Sequence, residues 1–347
     1  MRAQERTLVQ TPSPNADMRD AKPFETEIAF DDNGAASVVF GHYDQNIAAI
    51  ERKLGVIATA NGNHVVIKGP KEAAEHARRV FEMLYERAKQ GQAADLGDVE
   101  GAIAEGALQG TLFPSDSDLK QGFQQIKTRK RGAVRARNAA QNLYISALNR
   151  NELVFAEGPA GTGKTWLAVG YAVSLLEQGV VERLILSRPA VEAGEKIGFL
   201  PGDMRDKVDP YLRPIYDALY EFMDGRMVER GIETGMIEIA PLGFMRGRTL
   251  ANSLVLLDEA QNATAMQMKM FLTRLGEGSR MIVNGDPSQT DLPPGQKSGL
   301  SEAVALCSKL EGVGHVVFRP ADVVRHDLVR RIVAAYEGAK DASGSKR

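Results

Sequence analysis

Cysteine is almost missing: Cys307 is the one cysteine in 347 residues. No disulfide framework can exist, and a lone thiol within the helical pattern LSEAVALCSKL reads as a core residue in a reducing compartment. Long apolar runs are missing too, since no stretch approaches the roughly 20 residues of a membrane-spanning helix. The opening residues, MRAQERTLVQTPSPNADMRD, lack the apolar region of a secretory signal. Together these absences lead us to expect a cytoplasmic protein with no membrane role. Aromatic residues are only 6%, with a single tryptophan. An excess of one charge is also lacking: 43 Lys and Arg against 45 Asp and Glu leave a net charge of −2. Any nucleic-acid role must therefore rest on local patches. What remains, 43% hydrophobic and 25% charged residues, is ordinary for a globular chain, and the length allows two domains.

Residues 1–23 are polar and contain proline, and read as a disordered tail. From Phe24 to about 90 a small α+β unit is expected. ETEIAF and ASVVF read as strands, and Ile47, Ile50 and Leu54 form a helical stripe. VIATA and HVVIK flank Asn61-Gly62, a strong hairpin signal. Ala74, Ala77, Phe81, Leu84 and Ala88 recur at helical spacing. Residues 91–137 read as a charge-polarised linker. Gly91 to Asp118 holds six acidic residues and no basic one, whereas Leu119 to Asn151 holds eight basic residues and no acidic one. The basic run IKTRKRGAVRAR is either a solvated connector or a binder of RNA or nucleotide phosphates. From 138 to 337 strands and helices alternate, as in a parallel α/β sheet with helices on both faces. LVFA, RLILS, MIEIA, SLVLLD, RMIVNG and HVVFR are short and apolar throughout, as strands covered on both faces should be. Residues 338–347 read as a second tail.

Gly158, Pro159, Ala160, Gly161, Thr162, Gly163, Lys164 and Thr165 match G-x-x-x-x-G-K-[ST] without a mismatch. The glycines let successive N–H groups curl around an anion, and a helix expected over Lys164 to Glu177 aims its positive end at the same place. Lys164 would reach the β- and γ-phosphates of ATP, and the Thr165 hydroxyl would hold Mg²⁺. Downstream, SLVLL ends in Asp258 and Glu259. Strand ends of such sheets are where ligands sit, so Asp258 is expected to bind the metal and Glu259 to polarise the attacking water. Thr264 and Gln267 make a capping box for the next helix, on which Met266, Met268 and Met270 read as packing. Gln289, in the turn after RMIVNG, suits a sensor of the γ-phosphate. Arg325 is either a structural ion pair or an arginine finger.

GPAGTGKT, SRPAVEAGEKIGFLPGD, FMRGRTL, LLDEAQN, QMKMFLTRLG, GDPSQTDLP and DVVRH, in this order, resemble the PhoH-like protein family, in its long bacterial form with an N-terminal KH-like domain. The resemblance runs from about Phe24 to Glu337. It implies a P-loop (RecA-like) ATPase core related to superfamily-one helicases, with Gln141 as the upstream glutamine that reads adenine. It further implies a role in RNA metabolism, as an RNA helicase or remodeller. Links to ribosomal RNA maturation and phosphate starvation come with it, as does association with a YbeY-type endoribonuclease. Two positions depart from the family pattern. Gly41-His42-Tyr43-Asp44 has aspartate where an RNA-gripping KH loop has its second glycine, which favours protein docking by that unit. VRAR also stands where a proline-led stretch is expected before Gln141.

Helicases of this kind close ATP between two lobes, and this chain has room for one. An arginine finger is therefore expected from Arg325 of the same or a neighbouring subunit, in a homo-oligomer such as a hexameric ring. Two rivals stand beside an RNA-directed ATPase: a nucleotide-gated scaffold for an endoribonuclease, and a P-loop phosphotransferase acting on a small molecule.

Overall fold

The computed structural model describes residues 24–92, 94–109, 123–189, 204–293 and 295–323. Both expected tails, Arg325 and most of SRPAVEAGEKIGFLPGD lie outside them. The chain divides into two compact units between Val99 and Glu100.

The first unit runs β1 (Phe24–Ala29), α1 (Asn33–Phe40), α2 (Gln45–Leu54), β2 (Ile57–Asn61), β3 (His64–Gly69) and α3 (Lys71–Lys89). Its antiparallel sheet has the order β1-β3-β2. The hairpin turns at Asn61-Gly62 as the sequence suggests, and α3 buries Ala74, Ala77, Phe81 and Leu84. One expectation is corrected: ASVVF is not a strand but most of α1. Asp32 caps that helix, its Oδ1 accepting from the N–H groups of Gly34 and Ala35 at 2.7 and 3.1 Å. Ala35, Ala36 and Val39 then fall on one buried face. A cap and helical spacing outweigh the β-propensity of two adjacent valines. Between α1 and α2 the chain turns through Gly41, where a Cβ would lie 2.7 Å from the Asn46 side chain. Tyr43 and Asp44 follow, both with positive φ.

The second part of the chain carries α4 (Leu96–Gln109), within which the division falls, and then β4 (Gln125–Thr128) and β5 (Gly132–Arg135), an antiparallel pair. The stretch read as a linker thus contains a helix and a hairpin. There follow α5 (Ala139–Arg150), β6 (Leu153–Glu157), α6 (Lys164–Glu177), β7 (Arg183–Arg188), α7 (Met204–Phe222), α8 (Gly225–Glu233) and β8 (Ile237–Pro241). The chain continues through β9 (Ser253–Leu257), α9 (Ala265–Leu272), β10 (Arg280–Gly285), α10 (Gly299–Cys307) and β11 (Val313–Val317). All six strands expected from sequence form one parallel sheet, ordered β11-β6-β10-β9-β7-β8.

Alternate residues of the central strands feed two cores. Val154, Ala156, Leu254 and Leu256 pack with α5, α6 and α7 on one face. Leu153, Phe155, Val255 and Leu257 pack with α9 and α10 on the other. Truncating a buried side chain such as Phe155 costs about 3–5 kcal/mol, so the strand ends that carry the site rest on a stiff base. Cys307 packs, partly buried, against the second of these cores. Of the three methionines on α9, Met268 is buried and Met266 is 83% exposed. No described helix is long and apolar enough to cross a membrane.

Candidate functional site

The C-terminal ends of β6, β9 and β10 converge on a cavity of about 240 Å³. Ala160, Gly161, Gly163, Lys164 and Thr165 line it from the loop after β6, with Asp258, Glu259, Asp286 and Gln289 from the neighbouring strand ends. The volume lies below the roughly 300–1,000 Å³ of pockets for drug-sized ligands. It suits the phosphate end of a nucleotide rather than the whole molecule.

The loop is held in shape by its glycines and by a glutamine behind it. At Gly158 (φ 142°) a Cβ would come within 2.4 Å of the Phe318 carbonyl oxygen. Gly163 (φ 87°) caps α6 in the left-handed region. Thr162 is fully buried and its hydroxyl donates to the Pro159 carbonyl at 3.0 Å. Gln141, on α5, braces the loop: its Nε2 donates to the Thr162 carbonyl at 3.0 Å, and its Oε1 accepts from the Arg137 N–H at 2.8 Å. Both ends of this amide are thus engaged behind the loop, and Gln141 is not among the residues lining the cavity.

Lys164 is 8% exposed. Its ammonium donates to the Gly158 and Pro159 carbonyls at 2.6 and 2.9 Å. Burial lowers its pKa from the usual 10.5, and the charges of Asp258, Asp286 and Glu259 only partly offset this. Its shortest hydrogen bonds thus go to neutral carbonyls, while the carboxylates act on it from a distance.

Opposite stands the acidic end. The Thr165 hydroxyl donates to Asp258 Oδ1 at 2.7 Å, so the two residues expected to share a metal meet directly. Glu259 has φ 54°, a left-handed conformation that costs a non-glycine residue about 1–2 kcal/mol. That turn leaves its side chain on the cavity, with Oε2 accepting from Gln261 Nε2 at 2.6 Å. Asp286 is 7% exposed; its Oδ1 accepts from the Ser288 N–H and hydroxyl, while the buried Oδ2 has no partner among the described residues. Such an orphaned acceptor fits a site completed by metal-bound water. Among the described residues no cluster of three or more His, Cys, Asp or Glu could hold a metal alone.

Asp286, Arg188 and Trp166 escaped the sequence reading. Arg188, at the end of β7, bonds Asp258 Oδ2 through Nε at 2.9 Å and again through a terminal nitrogen. A basic residue closing RLILSR was visible, but its place beside Asp258 depends on β7 lying next to β9. Trp166 lines the cavity and sends its indole N–H to Glu221 at 2.8 Å. Arg131, in the β4–β5 turn, pairs with the same Glu221 oxygen at 2.9 Å and lies over the Trp166 ring.

The family profile of PhoH-like proteins matches residues 133–337. The chain is 45% identical over 299 residues to a PhoH-like protein of Bacillus subtilis (strain 168), covering 86% of this chain and 93% of that one. It belongs to the PhoH-like protein family. A PhoH-like protein of Synechocystis sp. is 44% identical over 312 residues, covering 89% of this chain and 93% of the relative. Protein PhoH of Escherichia coli K12 is 47% identical over 211 residues, 60% of each chain. Membership and the parallel sheet agree on a P-loop fold of the nucleotide-binding kind.

Proposed function

We propose that this PhoH-like protein is a Mg²⁺-dependent ATPase acting on RNA or on an RNA–protein assembly. The observation that carries the reading is the Thr165–Asp258 bond at 2.7 Å, with Glu259 and Gln289 on the same cavity wall. Lys164, bonded to the Gly158 and Pro159 carbonyls, would also reach the terminal phosphates. Thr165 and Asp258 would hold Mg²⁺, which would supply charge neutralisation at the phosphates. Glu259 orients water toward the γ-phosphate, and its bond from Gln261 keeps the carboxylate aimed. Gln289, exposed at the rim, contacts the water or the phosphate. An adjacent Asp-Glu pair suits water as the acceptor, which favours hydrolysis over transfer to a small molecule.

RNA, a YbeY-type endoribonuclease and further copies of the chain are the partners that belong to this reading, and Arg325 is its arginine finger. Measuring ATP hydrolysis by the full chain with and without single-stranded RNA tests it. Mg²⁺-dependent hydrolysis that RNA accelerates supports the reading. Binding without hydrolysis under either condition would overturn it in favour of a nucleotide-gated scaffold.

A further inference from the structure

At the metal end of the cavity a cation is already present. Arg188 places Nε and a terminal nitrogen on Asp258 Oδ2, while Oδ1 takes the Thr165 hydroxyl. The same guanidinium lies 3.8 Å from Glu259 Oε1. The side chains of Arg188 and Asp258 are 14% and 2% exposed, so the pair is nearly dry. Lys164 is bonded to the loop carbonyls. Arg188 is thus the cation bonded directly to Asp258 and near Glu259, whereas Lys164 acts on these carboxylates without a hydrogen bond.

We propose that Arg188 is a resident counter-ion of the metal position, displaced when metal and nucleotide enter together. The inference rests on the Mg²⁺–nucleotide reading of this cavity. A divalent ion on Asp258 would meet a guanidinium at hydrogen-bond distance from the same carboxylate, and the two repel in a site with little water to screen them. Free Mg²⁺ brings nothing to receive the displaced arginine. A metal-bound nucleotide brings phosphate oxygens, and a guanidinium fork fits these well. The exchange thus raises the metal concentration needed without nucleotide and couples metal binding to nucleotide binding. In this scheme Arg188 acts through Asp258 on the metal position and, once displaced, on the nucleotide's phosphate oxygens.

The test compares the full-length wild-type chain with Arg188→Ala and Arg188→Lys by calorimetric titration of Mg²⁺, alone and with ADP. Thermal unfolding is followed in chelator and in excess Mg²⁺. Arg188→Ala should lower the Mg²⁺ midpoint on the order of tenfold, within the range of coupling between linked sites. It should also be less stable in chelator, because two carboxylates lose their counter-ion, and recover in Mg²⁺. Arg188→Lys keeps the charge without the fork and should shift the midpoint the same way by less. An ion pair that merely ties strand ends together would cost stability equally in chelator and Mg²⁺ and leave the midpoint unmoved; that result overturns the proposal. If the alanine variant does not fold, an unmoved midpoint in the lysine variant overturns it as well. Wild-type protein that fails to bind ADP with Mg²⁺ contradicts the nucleotide reading instead, while the titrations without nucleotide still decide the role of Arg188.

Discussion

At the scale of the residue, the site is a set of charges held ready by neighbours that differ in how visible they are in the sequence. Lys164, Thr165, Asp258 and Glu259 are legible because motif spacing fixes the element that carries each. The left-handed turn at Glu259 and the grip of Arg188 on Asp258 are not, since both depend on which strands lie side by side. Lys164 gives a prediction with a sign. Burial holds its pKa below 10.5, and bound phosphates would raise it. Between the two values nucleotide binding should take up a proton, and affinity should fall as pH rises through that window. Calorimetry in buffers of differing ionisation enthalpy measures the uptake. Lys164→Ala should abolish tight ATP binding; retained affinity, or proton release on binding, would contradict the role given to this lysine.

At the scale of the element, the basic run is two things at once. Lys127 and Arg129 are exposed on the β4–β5 hairpin. Lys130 instead donates to the Tyr220 and Met223 carbonyls at the end of α7, and Arg131 joins Glu221 and Trp166. The composition of the run could be read from the sequence, but its partners across 90 residues could not. Neutralising Lys127 and Arg129 should flatten the slope of log RNA affinity against log salt by up to about 0.7 for each RNA phosphate that these side chains neutralise. Neutralising Lys130 or Arg131 should mainly lower thermal stability, by about 1 kcal/mol or less for such exposed interactions. The opposite assignment of the two effects would contradict this division. FMRGRTL shows the same sorting: Arg248 pairs both terminal nitrogens with both oxygens of Glu238, at 2.6 and 2.7 Å. That pair lowers the pKa of Glu238 and raises that of Arg248. Arg248 is thus committed to structure, whereas Arg246 is exposed. At α1 the sequence misled, because a valine pair suggests a strand until Asp32 is recognised as a helix cap.

At the scale of the whole molecule, the parallel sheet was legible because its strands are buried on both faces and read as unbroken apolar runs. Their order was not legible, and the order is what brings Arg188 to Asp258. In the proposed ATPase, the strand ends that line the cavity would meet the γ-phosphate from one side, which motivates the finger proposed at Arg325. Arg325→Ala should bind ATP but lose roughly 10³- to 10⁵-fold in turnover. Mixing it with Lys164→Ala subunits should restore activity if the finger acts between copies, and an active Arg325→Ala would rule it out. The central claim, that this cavity activates water against ATP, is tested most directly at Glu259. ATP binding and hydrolysis should be measured side by side in wild-type protein and Glu259→Gln, with Mg²⁺ and RNA present. The expected result is unchanged binding with turnover lowered by about 10²- to 10⁴-fold; hydrolysis at the wild-type rate in Glu259→Gln would contradict it.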